Sequence, residues 1–292
     1  MKLIIQIPCF NEENTLKQTL DDLPRQIDGI ERIEYLVIND GSFDKTTDVA
    51  SKWGVDYIVN FTQNKGLAKG FMAGIDVALE NGADIIVNTD ADNQYKGSDI
   101  SKLIRPIIEQ KADIVIGERP IDDTEDFSKL KKKLQHIGSW AVRQASNTNI
   151  PDAPSGFRAF SREAALKLNV VNDYTYTLET IVQAGREKIP IVSVPISTNR
   201  AVRPSRLAKT MISYVRTSML TILRAYLVYK PLKAFLFLSI FPAVPGFVIG
   251  IRFMYYLFTQ GGAGHIQSLI LGCTLIIISF VCIMIGDRKS VV

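Results

Sequence analysis

The residues best suited to chemistry are two carboxylates, Asp90 and Asp92, two positions apart and directly behind the apolar run Ile85-Ile86-Val87. Carboxylates placed where a buried strand ends are poorly accounted for as core. They are well accounted for as oxygen ligands of a hard divalent cation. Open α/β sheets bind ligands in the crevice outside the carboxyl ends of their strands. Two more apolar runs end in the same way: residues 2–7 lead into Pro8-Cys9-Phe10-Asn11-Glu12, and residues 35–38 lead into Asn39-Asp40-Gly41-Ser42. Three polar strand ends on one sheet edge outline a nucleotide-sized crevice. No G-x-G-x-x-G follows the first strand and no G-x-x-x-x-G-K-[ST] occurs, so neither a dinucleotide-binding Rossmann site nor a P-loop is supported.

These side chains need a scaffold, and the apolar periodicity describes one. Short β-branched runs predict strands over residues 2–7, 35–38, 57–59, 85–87 and 113–116. Helices are predicted between them over 14–23, 46–53, 66–80 and 98–110. Leu16, Leu20 and Leu23 line one face of the first, and Leu67, Phe71, Ile75, Ala78 and Leu79 one face of the third. Asp44 reads as the cap of the second. This alternation implies a largely parallel sheet covered on both faces. Residues 118–149 are more polar, with Asp122, Asp123, Glu125 and Asp126 ahead of Lys129, Lys131, Lys132 and Lys133. They read as a solvated loop and helix, or alternatively as a basic lid over an anionic substrate. Residues 152–158 form a turn feeding a strand, 174–184 a helix containing Glu179, and 189–196, interrupted by two prolines, an edge strand.

Charge is unevenly spread. Between Lys188 and Gly286 there are ten Lys or Arg and no Asp or Glu, while the remainder holds 24 basic against 30 acidic residues. An acidic body with a basic and then apolar tail points to membrane lipid as its neighbour and away from nucleic acid. Within residues 203–229, Leu207, Met211, Tyr214, Val215, Met219, Ile222 and Ala225 recur at helical spacing among Arg206, Lys209, Arg216 and Arg224, as in an interfacial amphipathic helix. Residues 234–251 and 268–286 are then uncharged, and each is long enough to cross a bilayer core of about 30 Å with help from its flanks. Pro242 and Pro245 suggest a kink in the first. Lys230 and Lys233 precede the pair and Arg288 and Lys289 follow it, whereas residues 259–267 carry no Lys or Arg. The positive-inside rule therefore places both chain ends in the cytoplasm, with Arg252 snorkelling to the outer interface. A soluble helical hairpin is the competing reading. Cys9, Cys273 and Cys282 form no paired pattern, His136 and His265 lack metal-ligand spacing, and the first apolar run is too short for a signal peptide.

Taken together, the motifs resemble glycosyltransferase family 2, in its dolichol-phosphate mannosyltransferase-like, polyprenyl-phosphate glycosyltransferase group. The resemblance rests on Ile7-Pro8-Cys9-Phe10-Asn11-Glu12-Glu13, Asn39-Asp40-Gly41-Ser42, Asn64-Lys65-Gly66 with Lys69 and Gly70, Asp90-Ala91-Asp92-Asn93-Gln94 and Ser155-Gly156-Phe157-Arg158. Tyr176-Thr177-Leu178-Glu179-Thr180 and Arg203-Pro204-Ser205-Arg206-Leu207 extend it. It implies a GT-A fold, an α/β domain with a Rossmann-like, mostly parallel sheet, over residues 1–200. A juxtamembrane amphipathic helix over 201–230 and two transmembrane helices over 231–288 would follow.

By that resemblance, Pro8, Asn11, Glu12 and Asp40 hold the nucleoside of a sugar donor, and Gly66, Lys69 and Gly70 line its site. Asp90 and Asp92 form the D-x-D pair, with Gln94 as a further oxygen ligand for Mg²⁺ or Mn²⁺. Arg119, Ser139, Ser155, Arg158 and Arg203 are candidates for the donor diphosphate or the lipid phosphate, since the planar guanidinium fork suits phosphate. Asp152 and Glu179 would position the acceptor or orient arginines, with Glu179 also available as a base. The implied reaction is inverting, metal-dependent transfer from a UDP- or GDP-sugar to a polyprenyl or dolichyl phosphate at the cytoplasmic face. A lipid-linked oligosaccharide or glycolipid acceptor is the alternative, a non-catalytic scaffold a further one, and an oligomer is left open. Three departures stand out: Asn39 replaces a common Asp, Lys96 follows Tyr95 where Pro is common, and the chain stops soon after the second apolar segment.

Overall fold

The computed structural model describes residues 1–120, 129–170, 176–199, 227, 231–261 and 266–290. Its two units are Met1–Met219 and Leu220–Val292.

The first unit is built on a seven-stranded sheet. Strand β1 (Lys2–Cys9) is followed by α1 (Leu16–Asp22), β2 (Arg32–Asn39), α2 (Thr46–Trp53), β3 (Tyr57–Asn60), α3 (Leu67–Glu80) and β4 (Ile85–Asn88). A 3-10 turn, Gly97–Asp99, then leads to α4 (Ile100–Ile108), β5 (Ile114–Glu118), α5 (Lys129–Ser146), β6 (Arg158–Ser161), α6 (Arg162–Lys167), α7 (Tyr176–Glu187) and β7 (Ile191–Pro195). The sheet order is β3-β2-β1-β4-β6-β5-β7. All neighbouring pairs are parallel except the two made by β6, which runs antiparallel to both β4 and β5.

The helices and strands expected over residues 2–116 and 152–196 are present, with ends displaced by a few residues. β7 is an edge strand, as its two prolines require. Asp44 lies one residue outside the cap of α2 yet still receives the Thr46 N–H, so it serves the expected role from a shifted position. The central strands are apolar on both faces: Leu3, Ile4, Ile5, Ile7, Leu36, Val37, Ile38, Ile85, Ile86 and Val87 are wholly buried. That is the burial expected of a sheet covered by helices on both sides.

The reversed strand matters most for the site. Because β6 runs against its neighbours, its first residue, Arg158, pairs with Asn88 at the end of β4 and with Ile116 near the end of β5. The 152–158 turn is thus brought to the same sheet edge as the loops after β1, β2 and β4. Sequence periodicity shows a strand there but carries no information on its direction.

Helix α3 approaches β1 closely. A Cβ at Gly74 would lie 2.3 Å from the Gln6 Oε1 and 2.9 Å from Ile38 Cδ1. Gln6 is fully buried and its Nε2 donates to the Asn88 side chain, so it has no solvent to retreat into.

In the second unit, α8 (Pro231–Gln260) and α9 (Ile266–Ser290) pack against each other. Both are long and apolar enough to cross a membrane, over Pro231–Thr259 and Ile266–Asp287, and only 11% and 17% of their most apolar windows are buried. Phe237, Phe241, Phe247, Ile251 and Phe258 all stand exposed, which argues against a soluble hairpin hiding an apolar core. The helix α8 runs unbroken through Pro242 and Pro245, so the expected kink does not split it. The proposed interfacial helix, Arg203 included, lies outside the described residues.

Gly74→Ala should destabilise the sheet domain by about 1–3 kcal/mol, the usual cost of overpacking a filled interior. Thermal unfolding of the detergent-solubilised protein would show it as a lowered Tm, and an unchanged Tm would contradict the close packing described.

Candidate active site

Each strand end is shaped by a loop whose polar side chains hold the backbone in place. After β1, Asn11 adopts a left-handed backbone, φ 56°. Its backbone N–H donates to Ser42 Oγ and its Oδ1 accepts from the Phe43 N–H. The loops after β1 and β2 are thereby tied together. Glu12 is buried, donates its N–H to Thr46 Oγ1 and accepts from the Thr15 hydroxyl. Pro8 is half-buried at the end of β1.

Asp40 accepts from the backbone N–H of Lys65 at 2.6 Å and of Gly66 at 2.9 Å. It therefore fixes the entry to α3. Gly66 has φ 92° and ψ 157°, a region open in practice only to glycine, which explains why glycine stands there. Lys69 is exposed one turn later. Asn39 accepts from the Ser42 N–H and donates to both Thr47 Oγ1 and Asn60 Oδ1. An aspartate at 39 could keep the acceptor role and would lose both donations.

The loop after β4 is the most constrained. Thr19 donates to Ala91 O, Asn93 donates to Asp22, and Asn93 itself has a left-handed backbone, φ 56°. From the other side, Asn199 donates its N–H to Gln94 O and its amide to Asn93 O, and Tyr95 forms an isolated bridge with Thr198. Asp90 and Asp92 project from this clamped loop. Asp92 accepts from the backbone N–H of Gln94 and, at 2.8 Å, from its side-chain Nε2. Gln94 thus presents its nitrogen to Asp92 and orients that carboxylate; acting as an oxygen ligand would require its amide to turn.

Asp90 stands apart. Among the described residues it has no hydrogen-bond or ion-pair partner, and a Cβ at Gly156 would lie only 3.1 Å from its Oδ1. Burial pushes its carboxyl up to about 7, with Asp92 and Glu12 adding to the rise and Arg119 and Arg158 opposing it. A cation bound beside such a carboxylate would favour its charged form and lower the pKa again. Two carboxylates and no soft donor suit Mg²⁺ or Mn²⁺. Among the described residues no group of three or more His, Cys, Asp or Glu is poised to hold a metal. A cation here would therefore take its remaining ligands from water and bound phosphates, which is the usual habit of Mg²⁺.

The 152–158 turn supplies the cationic side. Arg119, just after β5, donates Nε at 2.7 Å and Nη2 at 2.9 Å to the two oxygens of Asp152. Its Nη1 has no hydrogen-bond partner among the described residues, and 17% of the side chain stays exposed. Arg119 therefore arrives at the edge oriented, with one donor in reserve.

Asp152 was expected to position the acceptor or orient arginines; it is wholly buried with both oxygens on Arg119, so it takes the second role. Two other expectations are corrected here. Arg158 is wholly buried and donates to Ser155 O, Thr180 Oγ1 and Ala153 O. It braces the turn and reaches Asp90 only through its field, while burial draws its own pKa down to about 10. Ser139 is buried on α5 and accepts from the Ala153 N–H, so it too supports the turn. Ser155 is sealed from solvent as well. Glu179 is half-buried on α7.

Residue-by-residue reading missed Asn88, Tyr95 and Tyr176. Asn88 donates to Gly156 O and Tyr176 Oη, and Tyr95 Oη accepts from the Gly156 N–H. Together they set the wall behind Asp90. A polar side chain ending an otherwise apolar strand was the available signal for Asn88, and Tyr176 opens one of the matched motifs; nothing in the sequence marked the role of Tyr95.

A family model, glycosyl transferase family 2, matches residues 4–168, more than half of the chain. The chain belongs to this family. It is 30% identical over 215 residues to a UDP-N-acetylglucosamine–dolichyl-phosphate N-acetylglucosaminyltransferase of Methanococcus voltae, covering 66% of this chain and 83% of that one. It is 27% identical to an undecaprenyl-phosphate mannosyltransferase of Micrococcus luteus over 207 residues, 68% of this chain and 83% of the other. The fold matches glucosyl-3-phosphoglycerate synthase from Mycobacterium tuberculosis, solved with Mn²⁺, UDP and its product, with a TM-score of 0.60 at 17% identity over 77% of this chain and 78% of that one. The fold is thus of the GT-A kind and the protein is a glycosyltransferase of the polyprenyl-phosphate group.

The Asp90 environment predicts a pH dependence. Unfolded, this carboxyl should titrate near the ordinary 3.8; folded and metal-free, it holds its proton up to about 7. Between those values the folded state binds more protons, so its stability falls as pH rises through that window and levels off above it. Tm measured against pH on EDTA-treated protein should show this decline, and Asp90→Asn should flatten it. A parallel slope in the variant would place the titration elsewhere.

Proposed function

We propose that the protein transfers a sugar from a UDP- or GDP-sugar to a polyprenyl or dolichyl phosphate, with inversion, at the cytoplasmic face of a membrane. The observation that carries the donor half is Asp90: a carboxylate without a partner, raised by burial and by Asp92, at the carboxyl end of β4 and within the field of Arg119. The acceptor half is supported by the polyprenyl- and dolichyl-phosphate enzymes among its relatives and by two exposed apolar helices of membrane-spanning length.

In this reading, residues 1–200 form the catalytic domain, 201–230 an amphipathic helix on the membrane surface and 231–288 two spanning helices. Both chain ends lie in the cytoplasm. Asp90 and Asp92 would hold Mg²⁺ or Mn²⁺, with Gln94 orienting Asp92. When bound, the cation offsets the charge of the leaving nucleoside diphosphate. Pro8, Asn11, Glu12 and Asp40 shape the nucleoside pocket, and Gly66 and Lys69 form the start of α3 beside it. Arg119, oriented by Asp152, meets a phosphate with its free nitrogen, and Arg203 is a further candidate from the basic segment.

The acceptor needs little activation. A phosphate monoester is largely dianionic near neutral pH, its second pKa lying near ~6. One of its oxygens forms the new bond to the anomeric carbon while the bond to the diphosphate breaks and its electron pair leaves with the nucleotide. Attack opposite the leaving group inverts that carbon. Glu179 is left to position the acceptor.

Membranes containing the protein, given labelled UDP- and GDP-sugars and polyprenyl phosphate, should form a lipid-linked monosaccharide, and EDTA should stop it. Absence of transfer to any lipid monophosphate by folded protein would sink the proposal. Asp92→Asn should lower turnover by on the order of 10²-fold or more, as loss of a preorganised charge-stabilising group does, while membrane association is kept. A fully active variant would remove the metal from the scheme.

A further inference from the structure

Helix α5 has two unlike faces. Ser139, Val142 and Ser146 are buried. The helix packs on α7, and Ser139 supports the 152–158 turn. On the other side, Trp140 is 54% exposed and Ile137 43% exposed, one turn apart on the same surface. A tryptophan left half in solvent on a helix that already has a buried face is costly unless something covers it.

The charge of α5 says what would cover it. Its sequence, KLKKKLQHIGSWAVRQAS, carries Lys129, Lys131, Lys132, Lys133 and Arg143 and no Asp or Glu. The helical repeat puts positions 129 and 133 on the same face as 136, 137 and 140. Cations at one end of a helix face and Trp with Ile further along it are the pattern of a helix lying in a bilayer interface, where lysines meet headgroups and indole sits at the boundary. A protein partner would also cover apolar surface, but lysines with no carboxylate among them on the helix select an anionic, extended neighbour. The four carboxylates at 122, 123, 125 and 126 precede the helix and do not interrupt it. α5 also follows β5, whose carboxyl end carries Arg119 at the site edge, so the helix starts on the side where a lipid phosphate would arrive.

We propose that the exposed face of α5 is a second membrane contact of this protein, made by the catalytic domain itself, in which Trp140 and Ile137 enter the interface and the lysine run binds anionic phospholipid headgroups. The inference rests on the reading of α8 and α9 as membrane helices, and goes beyond it in making the catalytic domain touch lipid directly.

The chain has only two tryptophans, Trp53 and Trp140. Trp53 packs against Tyr35 and Arg25, away from the site residues. Full-length Trp53→Phe protein therefore reports Trp140 alone. Reconstituted in vesicles of phosphatidylcholine and phosphatidylglycerol brominated near the headgroup, its emission should shift to the blue and fall by roughly half, as expected for an indole held about 5–10 Å into the interface. Replacing the phosphatidylglycerol by phosphatidylcholine, or introducing Lys129→Gln and Lys133→Gln together, should relieve most of that quenching. Emission that is unquenched in both lipid mixtures overturns the proposal. Quenching that ignores phosphatidylglycerol and the lysines overturns its headgroup part. Resistance to carbonate extraction, scored in the same samples, tests the spanning helices separately: extraction defeats that reading whatever Trp140 reports.

Discussion

Like charges at close range set the terms for this site. Asp90 and Asp92 repel, burial weakens the damping of that repulsion by water, and neither has an ion-pair partner among the described residues. Such an arrangement is unfavourable for folding and useful for binding, because a cation arriving with a phosphate-rich ligand relieves both the repulsion and the desolvation. The surrounding structure is organised to hold that unfavourable state in place. The loop carrying the pair is tied by Thr19 and Asp22 from one side and by Asn199 and Thr198 from the other. Behind it, Gly156 leaves no room for a side chain.

Cationic groups near the pair are deliberately withheld from it. Arg119 is the nearest candidate to neutralise Asp90, yet its fork is taken by Asp152. Arg158 is spent on backbone carbonyls and the Thr180 hydroxyl. Had either closed onto Asp90 as an ion pair, the site would be stable and unable to accept a metal. The buried Asp152–Arg119 pair therefore does two things: it satisfies a carboxylate that would otherwise be costly to bury, and it keeps a guanidinium at the edge without letting it collapse inward.

The division between what the sequence discloses and what it conceals follows from the range of the forces involved. Strand ends, helix faces and the apolar tail are local patterns, so the loops after β1, β2 and β4 and the two long helices are legible from residue order. Motif resemblance adds the family and the D-x-D pair. Side-chain direction is a different matter. Arg158 and Ser155 sit in a matched motif, which draws attention to them as ligands, but the antiparallel entry of β6 turns the Arg158 guanidinium inward onto Ala153, Ser155 and Thr180. The same reversal carries Tyr176 and Asn88 to the wall behind Asp90. No periodicity encodes the direction of a single strand in a sheet, so the roles of Arg158 and Ser139 as supports could be seen only once the register was known.

That support role changes how substitutions in the turn should be understood. Residues 152–158 link three elements: α5 through Ser139 and Ala153, β5 through Arg119 and Asp152, and α7 through Arg158 and Thr180. A change at Arg158 would then act on turnover without contacting either substrate, by letting the turn relax away from Asp90. Because Ser139 lies on α5, the helix whose opposite face exposes Trp140, the same turn also connects the metal-binding edge to the surface assigned to lipid. An acceptor held in a bilayer and a donor held by a cation must meet within bonding distance, and a single braced turn between the two surfaces is a direct way for one chain to set that distance.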